Sequence, residues 1–300
     1  MMTKNALKLG SIALAFSLFL MACGNAPGKG PQQPAVHENK DSAEDARIKE
    51  LQKIFFSIPS PVEMSSLIKE KGYKFDASKL NVPENVDKYT GESRQAINLG
   101  IYGADLSYAA MFDEKQQTIT YFAAAQKLAR HMGVDGALTN DLVERLGKNQ
   151  ENRDSLLNIV SEAYNDLNGY LKENERIEIS ALVVAGGWLE ALYLSTIYAQ
   201  MDNNPDMRQR IAEQKFALKN LVDYYAKFGD RPNLKEMGED LNALQTIFNQ
   251  TASNPGKTTT SKDASGTVVI GTSSSVSISD ETLKAIATKT LELRSKYTSF

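Results

Sequence analysis

Residues 177–201 read IEISALVVAGGWLEALYLSTIYAQM, the most apolar stretch of the chain outside its first 23 residues. Its only charged side chains are Glu178 and Glu190, and Glu190 separates two uncharged runs of 11 residues. A bilayer span needs about 20 apolar residues, so length alone admits a membrane helix. A carboxylate near the middle of the bilayer is costly, however, and the stretch reads as the buried central helix of a helical fold. Gly186 and Gly187 each give up about 1 kcal/mol of helix propensity relative to Ala. Two such residues inside one helix point to close approach by another backbone or by a ligand.

A second stretch has the same character. Ile97, Ile101, Ala104, Tyr108 and Met111 recur at steps of four and three, and Tyr102, Leu106 and Ala109 add another apolar face. That helix is apolar almost all round, carries Gly100 and Gly103, and is also expected to be central. Around these two, apolar periodicity predicts amphipathic helices. Phe122 to Met132 marks one ending at Gly133, and Leu156 to Tyr170 another, with caps among Asn149 to Asp154. A third runs from a cap at Asn204-Pro205-Asp206 to Gly229, and Leu234 to Phe248 marks a fourth. Ser60-Pro61-Val62-Glu63 reads as a capping box opening a helix that stops at Gly72. Ile48, Leu51 and Phe55 suggest one before it, and Tyr73 to Gly91, with Pro83 and little periodicity, reads as a long connection. In residues 251–279, 14 of 29 are Ser or Thr and the apolar residues cluster or alternate, which predicts a small β-hairpin or meander with a turn at Asp263 to Gly266. Ser279 then caps a last helix over 280–300 with Leu283, Ile286, Ala287 and Tyr297 inward. The fold class is therefore mostly α: a multi-helix bundle or irregular α-array with a small Ser/Thr-rich β-hairpin near the C-terminus. There is no 34-residue repeat of the tetratricopeptide kind.

The N-terminus carries an address. Lys4 and Lys8 precede an apolar run from Leu9 to Met21, and Leu20-Met21-Ala22-Cys23 closes it with the pattern of a lipobox. Residues 1–22 are expected to be a lipoprotein signal peptide, 23–41 a flexible Gly/Pro/Gln/Asn-rich tether, and 42–300 the helical domain. Cys23 would carry a diacylglycerol thioether and an N-acyl chain, and several acyl chains anchor where one does not. Loss of the two lysines takes the balance from 34 basic and 37 acidic residues to 32 and 37, a net of −5. An acidic body has no electrostatic affinity for nucleic acid or for anionic headgroups. Gly24 in place of Asp favours the outer membrane, and the absence of an acidic run over Gly24 to Lys29 favours its periplasmic face.

Chemistry is sparse. One cysteine and two histidines, His37 and His131, exclude an intramolecular disulfide and any cysteine- or histidine-rich metal site. Asp202, Asn204, Asp206 and Glu213 stand at calcium-loop spacing, but Met207 occupies the position that needs Gly, so no metal is expected. No cofactor is expected beyond the lipid on Cys23. The one constellation of interest is an acid in each central helix: Asp105 near Tyr102, and Glu190 near Trp188 and Tyr193. If the helices face each other, these five residues line a candidate ligand pocket, and two carboxyls flanking a cleft are what a glycosidase uses. Buried charges are normally paired, which makes an internal ion pair the plainer reading of both acids.

At residues 98–109 (NLGIYGADLSYA) taken with residues 186–193 (GGWLEALY), the chain resembles a group of uncharacterised helical lipoproteins of Bacteroides-type bacteria, over about residues 55–250. The resemblance implies a helical envelope lipoprotein and brings no substrate or catalytic residue with it. The expectation is a membrane-anchored envelope lipoprotein whose helical body binds a partner protein or small ligand. The alternatives are a glycosidase-like hydrolase using Asp105 and Glu190, or a structural subunit of an outer-membrane assembly.

Overall fold

A computed structural model describes residues 46, 49–50, 60–149, 151–202, 204–228, 231–254, 258–262, 268–272 and 275–300. The signal peptide, the tether, Cys23, most of the helix expected around Ile48 to Phe55 and the turn at Asp263 to Gly266 lie outside the described residues. Among the described residues there are nine α-helices. They are α1 (Pro61–Glu70), α2 (Glu92–Met111), α3 (Lys115–His131), α4 (Asn140–Lys148), α5 (Arg153–Glu173), α6 (Ile177–Met201), α7 (Pro205–Phe228), α8 (Pro232–Phe248) and α9 (Asp280–Thr298).

Local chemistry sets the helix ends. Ser60 Oγ accepts from Glu63 N at 3.1 Å with Pro61 at the first helical position, and Gly72 follows α1 at φ +82°. Asn152 Oδ1 accepts from Ser155 N at 3.0 Å at the start of α5, and Ser279 Oγ accepts from Thr282 N at 3.2 Å at the start of α9. Asn204 Oδ1 takes the backbone N–H groups of Asp206 and Met207 at 3.1 and 3.2 Å, capping α7. Each bond satisfies a donor that the helix leaves unpaired in its first turn.

The architecture is built on α2 and α6. Every residue from Ala96 to Met111 is buried, as is nearly all of α6. Helices α3 and α5 pack on α2, α7 and α9 pack on α6, α1 touches both central helices, and α8 closes against α7 and α9. In α6, the only described helix long and apolar enough to cross a membrane, 94% of the relevant 18-residue window is buried inside the protein.

The crossing of α2 over α6 is made by glycine. A Cβ on Gly100 would stand 2.0 Å from the Val183 carbonyl oxygen, and one on Gly186 would stand 2.1 Å from that of Ile97. No side chain fits at either place, so the two backbones touch. Gly103 makes room for a side chain instead, since its Cβ would meet the Tyr164 hydroxyl of α5 at 2.1 Å.

The connection between α1 and α2 is more ordered than its sequence suggests. It contains two 3₁₀ turns, Ala77–Lys79 and Pro83–Lys88, and buries Leu80, Asn81, Val86 and Tyr89. We refer to residues 77–89 as the strap. Helix α4 is too short for its apolar period to stand out in the sequence: it has nine residues, with Leu142 and Leu146 as its buried anchors. Near the C-terminus β1 (Ala252–Asn254) pairs antiparallel with β4 (Ser275–Ser277), and β2 (Thr258–Lys262) with β3 (Val268–Thr272). The expected hairpin is thus two successive two-stranded ladders, with Ala252 opposite Ser277 and Thr258 opposite Thr272.

Candidate functional site

Asp105 on α2 and Glu190 on α6 both have 0% solvent exposure. Glu190 is met by Arg294 of α9, whose Nε donates to Oε2 at 2.6 Å and whose Nη2 donates to Oε1 at 2.9 Å. The same Nη2 also donates to the Lys79 carbonyl of the strap at 3.2 Å. The guanidinium carbon lies 4.2 Å from the centre of the Tyr193 ring, so its face is covered as well as its edge. Burial alone would push the Arg294 guanidinium down, but its attraction and hydrogen bonds to Glu190 outweigh that and raise it further. The arrangement is a buried, bidentate arginine–carboxylate pair.

Asp105 has no cation of its own. Its Oδ2 accepts from the Asn81 backbone N–H at 3.0 Å, while Oδ1 finds no donor. Glu190 is its neighbour across the helix crossing, and the two carboxyls act on each other. Burial first, and the negative charge of Glu190 second, push the Asp105 carboxyl well above the usual carboxylate range; Arg294 and the Asn81 N–H oppose this without cancelling it. Two ionised carboxyls offer each other only acceptors. A proton on Asp105 turns that contact into a donated hydrogen bond and satisfies the orphaned oxygen.

The network continues outward without a break. Asn81 Nδ2 donates to Asn98 Oδ1 at 3.1 Å, and the Tyr89 hydroxyl donates to Asn81 Oδ1 at 3.0 Å. Asn98 Nδ2 donates to the Arg94 and Tyr297 carbonyls, both at 2.9 Å. Strap, α2, α6 and α9 are therefore joined through one buried polar assembly whose members are far apart in sequence.

Of the five side chains expected to line a pocket, four meet here. Tyr102 donates to the Val82 carbonyl of the strap at 2.8 Å, and Asp105, Glu190 and Tyr193 are placed as described. Trp188 does not join them. It lies two residues before Glu190, about 200° around the helix, and its indole N–H donates to Gln214 Oε1 of α7 at 2.9 Å. Arg294, Asn81 and Asn98 complete the assembly in its place.

The remaining candidates have structural partners. Asp202 accepts from the Tyr73 hydroxyl, Asp206 pairs with Lys71, and Glu213 pairs with Arg210 at 3.2 Å, while Asn204 is the cap of α7. No group of three or more metal-ligating side chains occurs among the described residues. A small cavity of about 20 Å³ lies between α2, α3 and α5, lined by Gly103, Phe122, Leu167 and the Tyr164 ring. The Tyr164 hydroxyl is buried without a partner. That volume holds about one water molecule and no organic ligand.

No protein-family model, curated protein or solved structure matches the chain.

Proposed function

We propose that this protein is a lipid-anchored lipoprotein of the bacterial envelope whose helical body is a non-catalytic binding module, working through its surface toward a partner protein or small ligand. The observation that carries the non-catalytic reading is the state of the acid pair. Both carboxyls are wholly enclosed, and both oxygens of Glu190 are taken by Arg294. A glycosidase needs its two carboxyls free on either side of an open cleft, with water or sugar between them. Here an arginine from the last helix and a backbone N–H from the strap hold those positions. The group therefore serves to fasten four segments together, in keeping with the rule that buried charge is paired. The acids, on this reading, maintain the fold that presents the surface.

The anchoring half of the proposal rests on Leu20-Met21-Ala22-Cys23 and the apolar run before it, and the outer membrane with its periplasmic face rests on Gly24 and the residues after it. The likeness to helical lipoproteins of Bacteroides-type bacteria is in accord with both. Metabolic labelling tests it. The unsubstituted protein is expected to incorporate labelled palmitate and to fractionate with outer membranes, and Cys23→Ser to do neither. A wild-type chain that takes up no label would overturn the anchor, whatever the role of the helical body.

A further inference from the structure

The charge count around Asp105 is unbalanced, and the imbalance is confined to one place. The Asn81 N–H bonds its carboxyl, and within electrostatic reach of it are Tyr89 from the strap, Tyr102 from its own helix, Tyr121 from α3, Tyr164 from α5, Glu190 and Tyr193 from α6, and Arg294 from α9. Asp76, just before the strap, and Glu84, within its second turn, are further negative charges that act on Tyr108 and Tyr121. Arg294 is the one cation in this set, and the bonds it makes run from Nε and Nη2 to Glu190 and to the Lys79 carbonyl, none to Asp105. A second full negative charge has no cation of its own, whereas a proton on the buried, unpartnered Oδ1 lets Asp105 donate toward the neighbouring Glu190.

We propose that the strap and α9 are latched by a single proton held between Asp105 and Glu190, and that the latch loosens when that proton leaves to solvent water as the pH rises. With the proton in place, Asp105 bonds both to Glu190 and to the Asn81 N–H, and Glu190 stays aligned on Arg294 and through it on Lys79. Without it, two carboxylates share one guanidinium in a dry enclosure. Relief comes by letting water in, and the strap is the part that covers them. The sign follows from the direction in which the folded protein holds Asp105: its contribution is complete below the ordinary value of 3.8 and is lost as pH climbs through the raised value. The latch acts within the helical body and is independent of the lipid anchor.

The test uses the full chain in detergent, with carbon-13 aspartate for infrared spectroscopy and hydrogen exchange read on strap peptides. A protonated aspartic acid band is expected at neutral pH. It should vanish on alkaline titration while strap exchange, corrected with an unfolded peptide reference, accelerates about tenfold per pH unit beyond the transition. In Asp105→Asn, whose amide donates permanently to Glu190, the band should be missing and strap protection should stay constant over the same range. Absence of a protonated aspartic band in the unsubstituted protein would overturn the proposal, even if Asp105→Asn failed to fold. So would equal acceleration of strap exchange in the two proteins.

Discussion

Helices α2 and α6 meet in two ways within about one and a half turns of each other. At Gly100 and Gly186 backbone lies on backbone with no side chain between them. Five residues on along α2, and four along α6, Asp105 and Glu190 meet through charge, Glu190 held by Arg294 and Asp105 by the Asn81 N–H. The glycine contact depends only on the absence of atoms and needs no third element. The acid contact is incomplete between the two helices alone and requires groups from the strap and from α9. The first fixes how closely the central helices cross, while the second fixes what is wrapped over them.

A large effect is expected on the dry side. Gly100→Ala or Gly186→Ala would put a methyl group about 2 Å from a backbone oxygen, which side-chain adjustment cannot relieve. The cost should reach or exceed the top of the usual overpacking range of about 1–3 kcal/mol, measured by urea denaturation. Gly169→Ala is the control, because nothing lies within 4 Å of its Cβ position, inside the last turns of α5. It should gain up to about 1 kcal/mol from helix propensity. Equal effects at the three positions would mean that the crossing is looser than described.

A smaller effect separates the two halves. Tyr164 projects its hydroxyl over Gly103, between the glycine crossing and Asp105, and that hydroxyl is buried without a partner. Tyr164→Phe removes an unsatisfied group and should leave stability unchanged or raise it by about 1 kcal/mol. A loss of 2 kcal/mol or more, about the full penalty for leaving a buried partner unsatisfied, would show that the hydroxyl belongs to the polar assembly.

These two sides also differ in how far the sequence discloses them. Glycines inside an apolar helix announce close approach, and Gly100 and Gly186 do lie at the crossing. Burial of Asp105 and Glu190 is likewise visible in their apolar neighbours. Their partners are not, because Arg294 and Asn81 lie 104 and 24 residues from the acids they bond. One signal for Arg294 exists: it falls eleven residues after Leu283, on the same stripe as Ile286, Ala287 and Tyr297, where an arginine among inward-facing residues calls for a buried acid. Asn81 has no such signal, since the short 3₁₀ turns around it are too brief to develop a period. Trp188 was grouped with Glu190 by closeness in sequence, although two residues along a helix reach nearly opposite faces. The capping residues Ser60, Asn152, Asn204 and Ser279 were legible because each acts on its own next turn.

The central claim, that Glu190 and Arg294 form a closed structural pair, is tested most directly by a double-mutant cycle in urea with Glu190→Gln, Arg294→Met and the two together. Each single substitution strands a buried charged or polar partner and should cost about 3–5 kcal/mol. The double variant, with no stranded charge, should cost clearly less than the sum, with a coupling of about 1–3 kcal/mol. Additive costs, or single substitutions that each change stability by less than about 0.5 kcal/mol as exposed groups do, would contradict the account.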